Sequence, residues 1–243
     1  MKTYRIRPLP LARMELDLAV LTYRYNYGNK IKVPIYAWYI EGAKQHILID
    51  TGAEAKMATE FRGLPAESIA TFEEALSKVG LKPDDIDVVI HTHLQWDHCG
   101  NTHRCKNAKL VASETEYKFA LSPHPILAPT YKKSLLMDLT FSVVDGYHKI
   151  APGIEIIPAP GHTPGTIAVS VNTDKGKAIV TGFCCTRENF EVPEEAREYL
   201  PLIPPGIHLN AVDAFESAVR IKGMADILIP IHDPSFVDVE SIP

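Results

Sequence analysis

An apolar strand that runs directly into a cluster of ligand-type side chains constrains this chain more than any other feature. Residues 86–90 (IDVVI) predict a short, mostly apolar strand, and His91, His93, Asp97 and His98 follow within eight residues. On an extended segment, His91 and His93 point to the same side because side chains alternate. A turn entering a helix would bring Asp97 and His98 back toward them. The run therefore predicts a metal site at the exit of a buried strand.

The alternative interpretation of any single histidine is an ordinary polar or core residue. Four ligand-type groups together reverse those odds, because burying imidazoles and a carboxylate without a cation carries a heavy desolvation cost. Two more histidines have suitable positions. His162 lies in a turn between two glycines and two prolines (PGHTPG, 160–165), and His232 follows an apolar strand predicted at 227–231. Mixed imidazole and carboxylate ligands suit zinc, iron or manganese better than calcium or magnesium.

Strand and helix patterns alternate along the whole chain. Residues 36–40 and 45–50 predict a hairpin, and residues 71–79 predict a helix with a capping box formed by Thr71 and Glu74. A helix predicted at 211–222 stops at Gly223. Further predicted elements are a strand at 109–112, a helix at 113–121, loops at 122–130 and 193–206, and a strand-rich segment at 141–182. The pattern favours one α/β domain over residues 1–243.

Composition excludes several classes of protein. The chain has 243 residues, about 1.6 times the usual ~150 of a domain. Its 25 Lys and Arg against 30 Asp and Glu give a net charge of −5, which argues against nucleic-acid binding. The sequence shows neither a secretory signal nor a membrane span, so we expect no membrane partner. Four cysteines are too few for a disulfide framework, and the cytoplasm is the expected compartment. The oligomeric state is not predicted.

The combined motifs resemble the metallo-β-lactamase superfamily. The resemblance covers roughly residues 30 to 233, and within the superfamily it is closest to the N-acyl homoserine lactonase branch. Residues 33–39 look like the early strand of that branch, and residues 186–191 resemble the segment that follows its bridging carboxylate. The motifs that carry the likeness to the superfamily are LIDTG at 48–52, the histidine run at 91–98, Pro-Gly-His at 160–162, and His232.

This resemblance implies an α/β fold, an αβ/βα four-layer sandwich with a two-metal site at the edge of its sheets. It implies zinc as the cofactor, as one or two ions, with iron or manganese as alternatives. His91, His93 and His162 would hold the first ion, and Asp97, His98 and His232 the second. Asp50 would orient a ligand histidine. A metal-bound hydroxide would attack a carbonyl carbon of a small-molecule substrate, and Asp97 would orient it and then protonate the leaving oxygen.

The sequence departs from the family at one ligand. Two-metal members carry a bridging Asp after the strand that follows the Pro-Gly-His turn, whereas this chain has Thr181-Gly182-Phe183-Cys184-Cys185. Alignment without a gap places Gly182 at the bridging position and Cys185 where those lactonases often have a Tyr. Alignment on the Thr-Gly pair places Phe183 there instead. Three outcomes stay open: Cys184 or Cys185 supplies a thiolate, hydroxide alone bridges the ions, or the second site is weak. For Cys184 the alternative role is a pocket wall or a small buried apolar residue.

The leading functional hypothesis is a metal-dependent hydrolase that opens a lactone or a related ester-like bond. Hydrolysis of a cyclic amide or a thioester is a rival within the same class. A di-iron redox protein and a non-catalytic binding protein of the same fold are rivals from other classes. Metal analysis and an activity panel would separate them.

Overall fold

Two mixed β-sheets form the centre of the protein in a computed structural model that describes residues 2–243. The strands of the first sheet are β1 (Arg5–Asp17), β2 (Lys30–Glu41), β3 (Ile47–Thr51), β4 (Ala66–Ser68), β5 (Val88–Ile90), β6 (Lys109–Ser113) and β7 (Phe141–Val144). Those of the second are β8 (His148–Ala151), β9 (Ile154–Pro158), β10 (Ile167–Thr173), β11 (Gly176–Val180) and β12 (Ile227–Ile229). The helices are α1 (Ala55–Arg62), α2 (Phe72–Ser77), α3 (Trp96–Cys99), α4 (Glu114–Leu121), α5 (Lys133–Leu136) and α6 (Ala211–Met224).

The order of strands explains where side chains can converge. The first sheet has the order β4-β1-β2-β3-β5-β6-β7, in which β3, β5, β6 and β7 pair in parallel. The second has the order β12-β11-β10-β9-β8, in which β11 and β12 pair in parallel. Parallel neighbours bring their carboxyl ends to one edge of a sheet, the usual place for a site in open α/β sheets.

The main core lies between the two sheets. Tyr36, Trp38 and Ile40 of β2 point into it, as do Val169 and Val171 of β10 from the opposite sheet. The intervening residues of β2 and β10 point outward to other clusters, which is the period-two alternation of a strand buried on both faces. This shared core fixes the two sheets against each other.

Helices cover the outer face of each sheet. Phe72, Ala75 and Leu76 of α2 pack on the first sheet, and Ala218 and Ile221 of α6 pack on the second. The order of layers is helix, sheet, sheet, helix, so the predicted αβ/βα four-layer sandwich is confirmed. Within residues 2–243, no helix combines the length and the apolar character that crossing a membrane requires.

Most of the predicted elements exist, with shifted ends. The hairpin is confirmed as β2 and β3, and α2 begins with the predicted capping box, in which Thr71 and Glu74 bond reciprocally. The predicted stop at Gly223 is wrong: α6 continues to Met224, and Gly223 lies inside it. Neither β1 nor α1 was predicted. The prolines in β1 hide the strand pattern of its 13 residues, because proline is rare in strands.

Candidate metal centre

Most of the predicted ligands lie just past the carboxyl ends of strands. His93 follows β5, and Asp97 and His98 belong to the short helix α3 that comes next. His162 follows β9 in the second sheet, and His232 follows β12. The two sheets therefore each contribute imidazoles to one buried cluster, in which the exposed fraction is 2% for His98 and zero for His93 and His162.

His93 and His162 form the first pair. Their Nε2 atoms are 3.2 Å apart, and their rings meet edge to face. Two nitrogen ligands on one tetrahedral zinc, each about 2.0–2.1 Å from the ion, are about 3.3 Å apart. The pair therefore already has the spacing of two ligands of a single ion.

Asp97, His98 and His232 form the second group. Asp97 Oδ2 lies 3.5 Å from His98 Nε2 and 3.9 Å from His232 Nε2. One ligand atom from each of the three residues lies within 4.8 Å of the others. The side chain of Asp97 is 12% exposed, whereas those of His98 and His232 are 2% and 4% exposed. Asp97 therefore lies at the side of the cluster that solvent reaches.

The imidazoles share one orientation. The Nδ1–H groups of His162 and His232 donate to the carbonyl oxygens of Ile207 and Pro34, at 2.8 Å and 2.9 Å. His98 Nδ1 donates to Asp50 Oδ2 at 2.7 Å. Such contacts fix the tautomer that leaves Nε2 free for a metal. His98 Nε2 is buried and makes no hydrogen bond with any residue from 2 to 243.

The buried carboxylates of the cluster need positive charge beside them. Burial lowers the pKa of His93 well below its usual value. Burial would also lower the pKa of His98, but Asp97 and Asp50 outweigh it and raise that pKa well above its usual value. His98 in turn overcomes the effect of burial on Asp97 and lowers the pKa of that carboxyl. Protons therefore balance the buried carboxylates here, a role that a divalent cation at the same place would take over.

Cys184 follows β11 and lies beside the first pair. Its Sγ is 3.6 Å from His162 Nε2, and the side chain is buried. Burial alone would raise the pKa of this thiol, but His162, His232 and His98 lower it well below its usual value. The same contact raises the pKa of His162 against the effect of burial. The imidazoles of both groups therefore act electrostatically on the Cys184 thiol.

His91 is the one predicted ligand that the structure places elsewhere. Its Nε2 is 2.8 Å from Thr102 Oγ1, and its ring packs against Phe141. Burial lowers its pKa to about 4, so it is a neutral core residue. The prediction assumed that the strand alternation continues through His93, but β5 ends at Ile90 and irregular chain follows. The correction removes His91 from the first ligand set.

Gly182 has no room for a bridging side chain. A Cβ at this position would overlap the carbonyl oxygen of Ile167 and would lie 3.0 Å from Thr92 Cβ. If Gly182 is the residue that aligns with the bridging Asp, no carboxylate side chain fits at this position, because the backbone of Ile167 occupies the space of its Cβ. Cys185 points away from the cluster, because its Sγ lies 3.2 Å from Thr181 Oγ1 in the core behind β11.

Sequence reasoning missed Glu116, which connects the two ligand-bearing loops. Its carboxylate accepts hydrogen bonds from the Leu94 backbone N–H, the Tyr131 hydroxyl and the Thr163 hydroxyl. Leu94 follows His93, and Thr163 follows His162. In the sequence, Ser113 stands three residues before Glu116, which is the spacing of a capping box. That spacing predicts Glu116 at the exposed start of a helix. Only the carboxylate's position, buried between the loops, shows its role.

Comparison with known proteins finds similarity to a superfamily of metallo-hydrolases. Residues 31–223 match the model of the metallo-beta-lactamase superfamily. An N-acyl homoserine lactonase from Bacillus cereus is 29% identical over 196 residues, which cover 75% of this chain and 77% of that protein. A probable metallo-hydrolase from Methanocaldococcus jannaschii is 31% identical over 160 residues, 66% of this chain and 63% of that protein. A crystal structure of a Bacillus thuringiensis AiiA variant with N-decanoyl-L-homoserine at its active site superposes with a TM-score of 0.77 and 25% identity, over 97% of this chain and 95% of that one.

Proposed function

This chain belongs to the metallo-beta-lactamase superfamily, and we propose that it is a metal-dependent hydrolase that opens a lactone ring. The observation that carries the proposal is the paired arrangement of His93 with His162 and of Asp97 with His98 and His232. The similarity to N-acyl homoserine lactonases supports the choice of substrate. Free thiols at all four cysteines agree with a cytoplasmic location, which we propose on that ground.

The residues present fit a pair of divalent ions. The first pair of imidazoles has the spacing of one zinc, and the second group offers two nitrogens and a carboxylate oxygen, the ligand types of zinc sites. His98 Nε2, which makes no hydrogen bond within residues 2–243, is a buried nitrogen that would bind a cation in exchange for its proton. When bound, an ion of this kind lowers the pKa of water and polarises a carbonyl group.

Asp97 is the residue that we propose to act on protons. Its carboxylate lies at the accessible side of the cluster and stays ionised, since His98 lowers its pKa. An ionised carboxylate there accepts a proton from the attacking water. It then returns this proton to the ring oxygen as the bond between that oxygen and the acyl carbon breaks. The product is an open-chain hydroxy acid.

A buried apolar cluster adjoins the metal centre at Cys184 and would lie nearest to the acyl part of such a substrate. Cys184 packs with the buried side chains of Leu18, Leu21 and Val33, and Ile207 lies half-buried against them. Apolar walls beside a few polar groups are typical of small-molecule sites. We therefore propose a lactone that carries an apolar chain.

The test is hydrolysis by the zinc-loaded protein of a panel of N-acyl homoserine lactones, simple lactones, linear esters, thioesters and cyclic amides. We expect the acyl lactones to give the highest kcat/KM, with activity lost on chelation and restored by zinc. Asp97→Asn is expected to lower kcat by roughly 10²–10⁴-fold, the usual contribution of a positioned acid or base. Glu114→Gln is the control, because the side chain of Glu114 on α4 is 45% exposed and pairs with Lys118 at the surface.

Preference for thioesters or cyclic amides would contradict the proposed substrate while leaving a hydrolase. An absence of turnover on the whole panel by protein with a full complement of metal would contradict the hydrolase itself. An optical spectrum of the purified protein would identify a di-iron redox centre, the rival from another class.

A further inference from the structure

Cys184 lies beside the first pair of imidazoles in the metal centre. Its Sγ lies 3.6 Å from His162 Nε2, and the side chain is 95% buried at the end of β11. The neighbouring Cys185 points to the opposite side, where its Sγ meets Thr181 Oγ1. Two adjacent cysteines therefore have separate surroundings, and only one of them faces the imidazoles.

The distance from Cys184 to His162 is the distance between two ligands. A sulfur about 2.3 Å and a nitrogen about 2.0–2.1 Å from one tetrahedral zinc are about 3.5 Å apart. His98 Nε2, on a side chain only 2% exposed, makes no hydrogen bond with any residue from 2 to 243 and is a second sign that this buried cluster binds a cation. Neither observation depends on the substrate.

The chain around Cys184 contains no carboxylate that could act as a metal ligand in its place. Residues 181–187 contain no Asp or Glu, and the tight packing of Gly182 leaves no space for a longer side chain in its place. Cys184 is two residues further along, where its side chain enters the cluster from the end of the same strand. A thiolate there supplies the negative charge that a bridging carboxylate would otherwise supply.

We propose that the Cys184 thiolate is a metal ligand of this centre, binding beside His162. The inference deepens the proposed function and rests on its metal site. Loss of the thiol proton to solvent accompanies binding, and no oxidation or reduction takes part. A thiolate ligand makes the centre select soft or borderline ions such as zinc, cobalt and cadmium over manganese and magnesium.

Cobalt substitution tests the proposal in a way that does not depend on turnover. Co²⁺ bound to a thiolate gives an intense near-ultraviolet charge-transfer band, and Co²⁺ bound only to nitrogen and oxygen does not. We expect the band in the cobalt-loaded wild type and in Cys185→Ser, and its loss in Cys184→Ser. Cys185→Ser is the matched control because its side chain belongs to the core behind β11. Persistence of the band in Cys184→Ser, or its absence from cobalt-loaded wild type, would overturn the proposal.

Two measurements on the wild type keep the test decisive if Cys184→Ser does not fold. X-ray absorption of the zinc-loaded protein should show a sulfur scatterer at about 2.3 Å. Alkylation of Cys184 by iodoacetamide, followed by mass spectrometry, should be slowed at least tenfold by zinc. A zinc shell of only nitrogen and oxygen, or equal alkylation with and without zinc, refutes ligation. A protein with zinc–sulfur ligation but no lactone turnover would retain this inference and lose the proposed function.

Discussion

At the scale of single residues, two histidines of one short run have opposite roles. His93 Nε2 faces His162, whereas His91 Nε2 is satisfied by Thr102 and its ring packs in the core. Histidine type and spacing did not distinguish them, because the alternation rule holds only while the chain stays extended. The direction of each ring was decided by where β5 ends.

This difference predicts the behaviour of two variants. His93→Ala is expected to lower bound zinc and to reduce kcat/KM by more than about 100-fold, since loss of a ligand exceeds the roughly 10–100-fold effect of its supporting contacts. His91→Gln should keep the metal content of the wild type. Zinc is measured by elemental analysis after exhaustive dialysis. Equal metal loss in both variants would argue against the proposed first pair.

Gly182 is a residue whose role depends on space rather than on charge. Because a Cβ would overlap the carbonyl oxygen of Ile167, Gly182→Ala is expected to cost at least about 2 kcal/mol of unfolding free energy. Gly223→Ala is the matched control: its Cβ would meet nothing within 4 Å, and alanine in α6 should add about 0.5–1 kcal/mol. Urea denaturation measures both. A neutral effect of Gly182→Ala would show that β10 and β11 can separate at this point.

At the scale of secondary-structure elements, the first turn of α4 holds the ligand-bearing loops together. Glu116 accepts hydrogen bonds from the loop that carries His93 and from the turn that carries His162, and Gly165 of that turn packs against its backbone. The helix thereby sets the distance between the two imidazoles of the first pair. Glu116 is a positioning residue, because it touches neither His93 nor His162 through a hydrogen bond.

The buried Glu116 predicts a pH dependence of stability. Burial raises its pKa, so the folded state favours the neutral carboxyl more than the unfolded state does. This contribution is complete below the unfolded value of about 4.3 and is lost as the pH rises through the raised folded pKa. We expect the Tm of the wild type to decline over that interval relative to Glu116→Gln, which cannot ionise. Parallel Tm–pH curves would contradict the assignment, and Glu114→Gln should follow the wild type.

At the scale of the whole molecule, the metal centre joins the two sheets. His93, Asp97 and His98 follow a strand of the first sheet, and His162 and His232 follow strands of the second. An ion bound across them adds to the shared apolar core a second connection between the layers. Because the unfolded chain does not hold these ligands together, metal binding stabilises the folded state by mass action.

Metal removal should therefore lower stability as well as activity. At a free zinc concentration about 100 times Kd, one site contributes about 2.7 kcal/mol. At roughly 2–4 °C per kcal/mol for a chain of this size, the chelated protein should unfold about 5–10 °C lower. Thermal unfolding with a chelator, and again after addition of excess zinc, measures the difference. An unchanged Tm would mean that the ligands are held entirely by the core.

The patterns of the sequence predicted the α/β class, and its resemblance to the metallo-β-lactamase superfamily predicted the four layers and the ligand types. Short, nearly continuous apolar runs specify strands buried on both faces, and the capping box of α2 is a local interaction that needs no distant partner. Single-domain organisation over residues 1–243 stays a prediction. The tertiary structure decided what depends on direction and space: which histidine turns inward, that Gly182 is packed against Ile167, and that Cys184 rather than Cys185 faces the imidazoles. Residue type and spacing fix what a side chain can bind, but contacts between distant segments fix where it points.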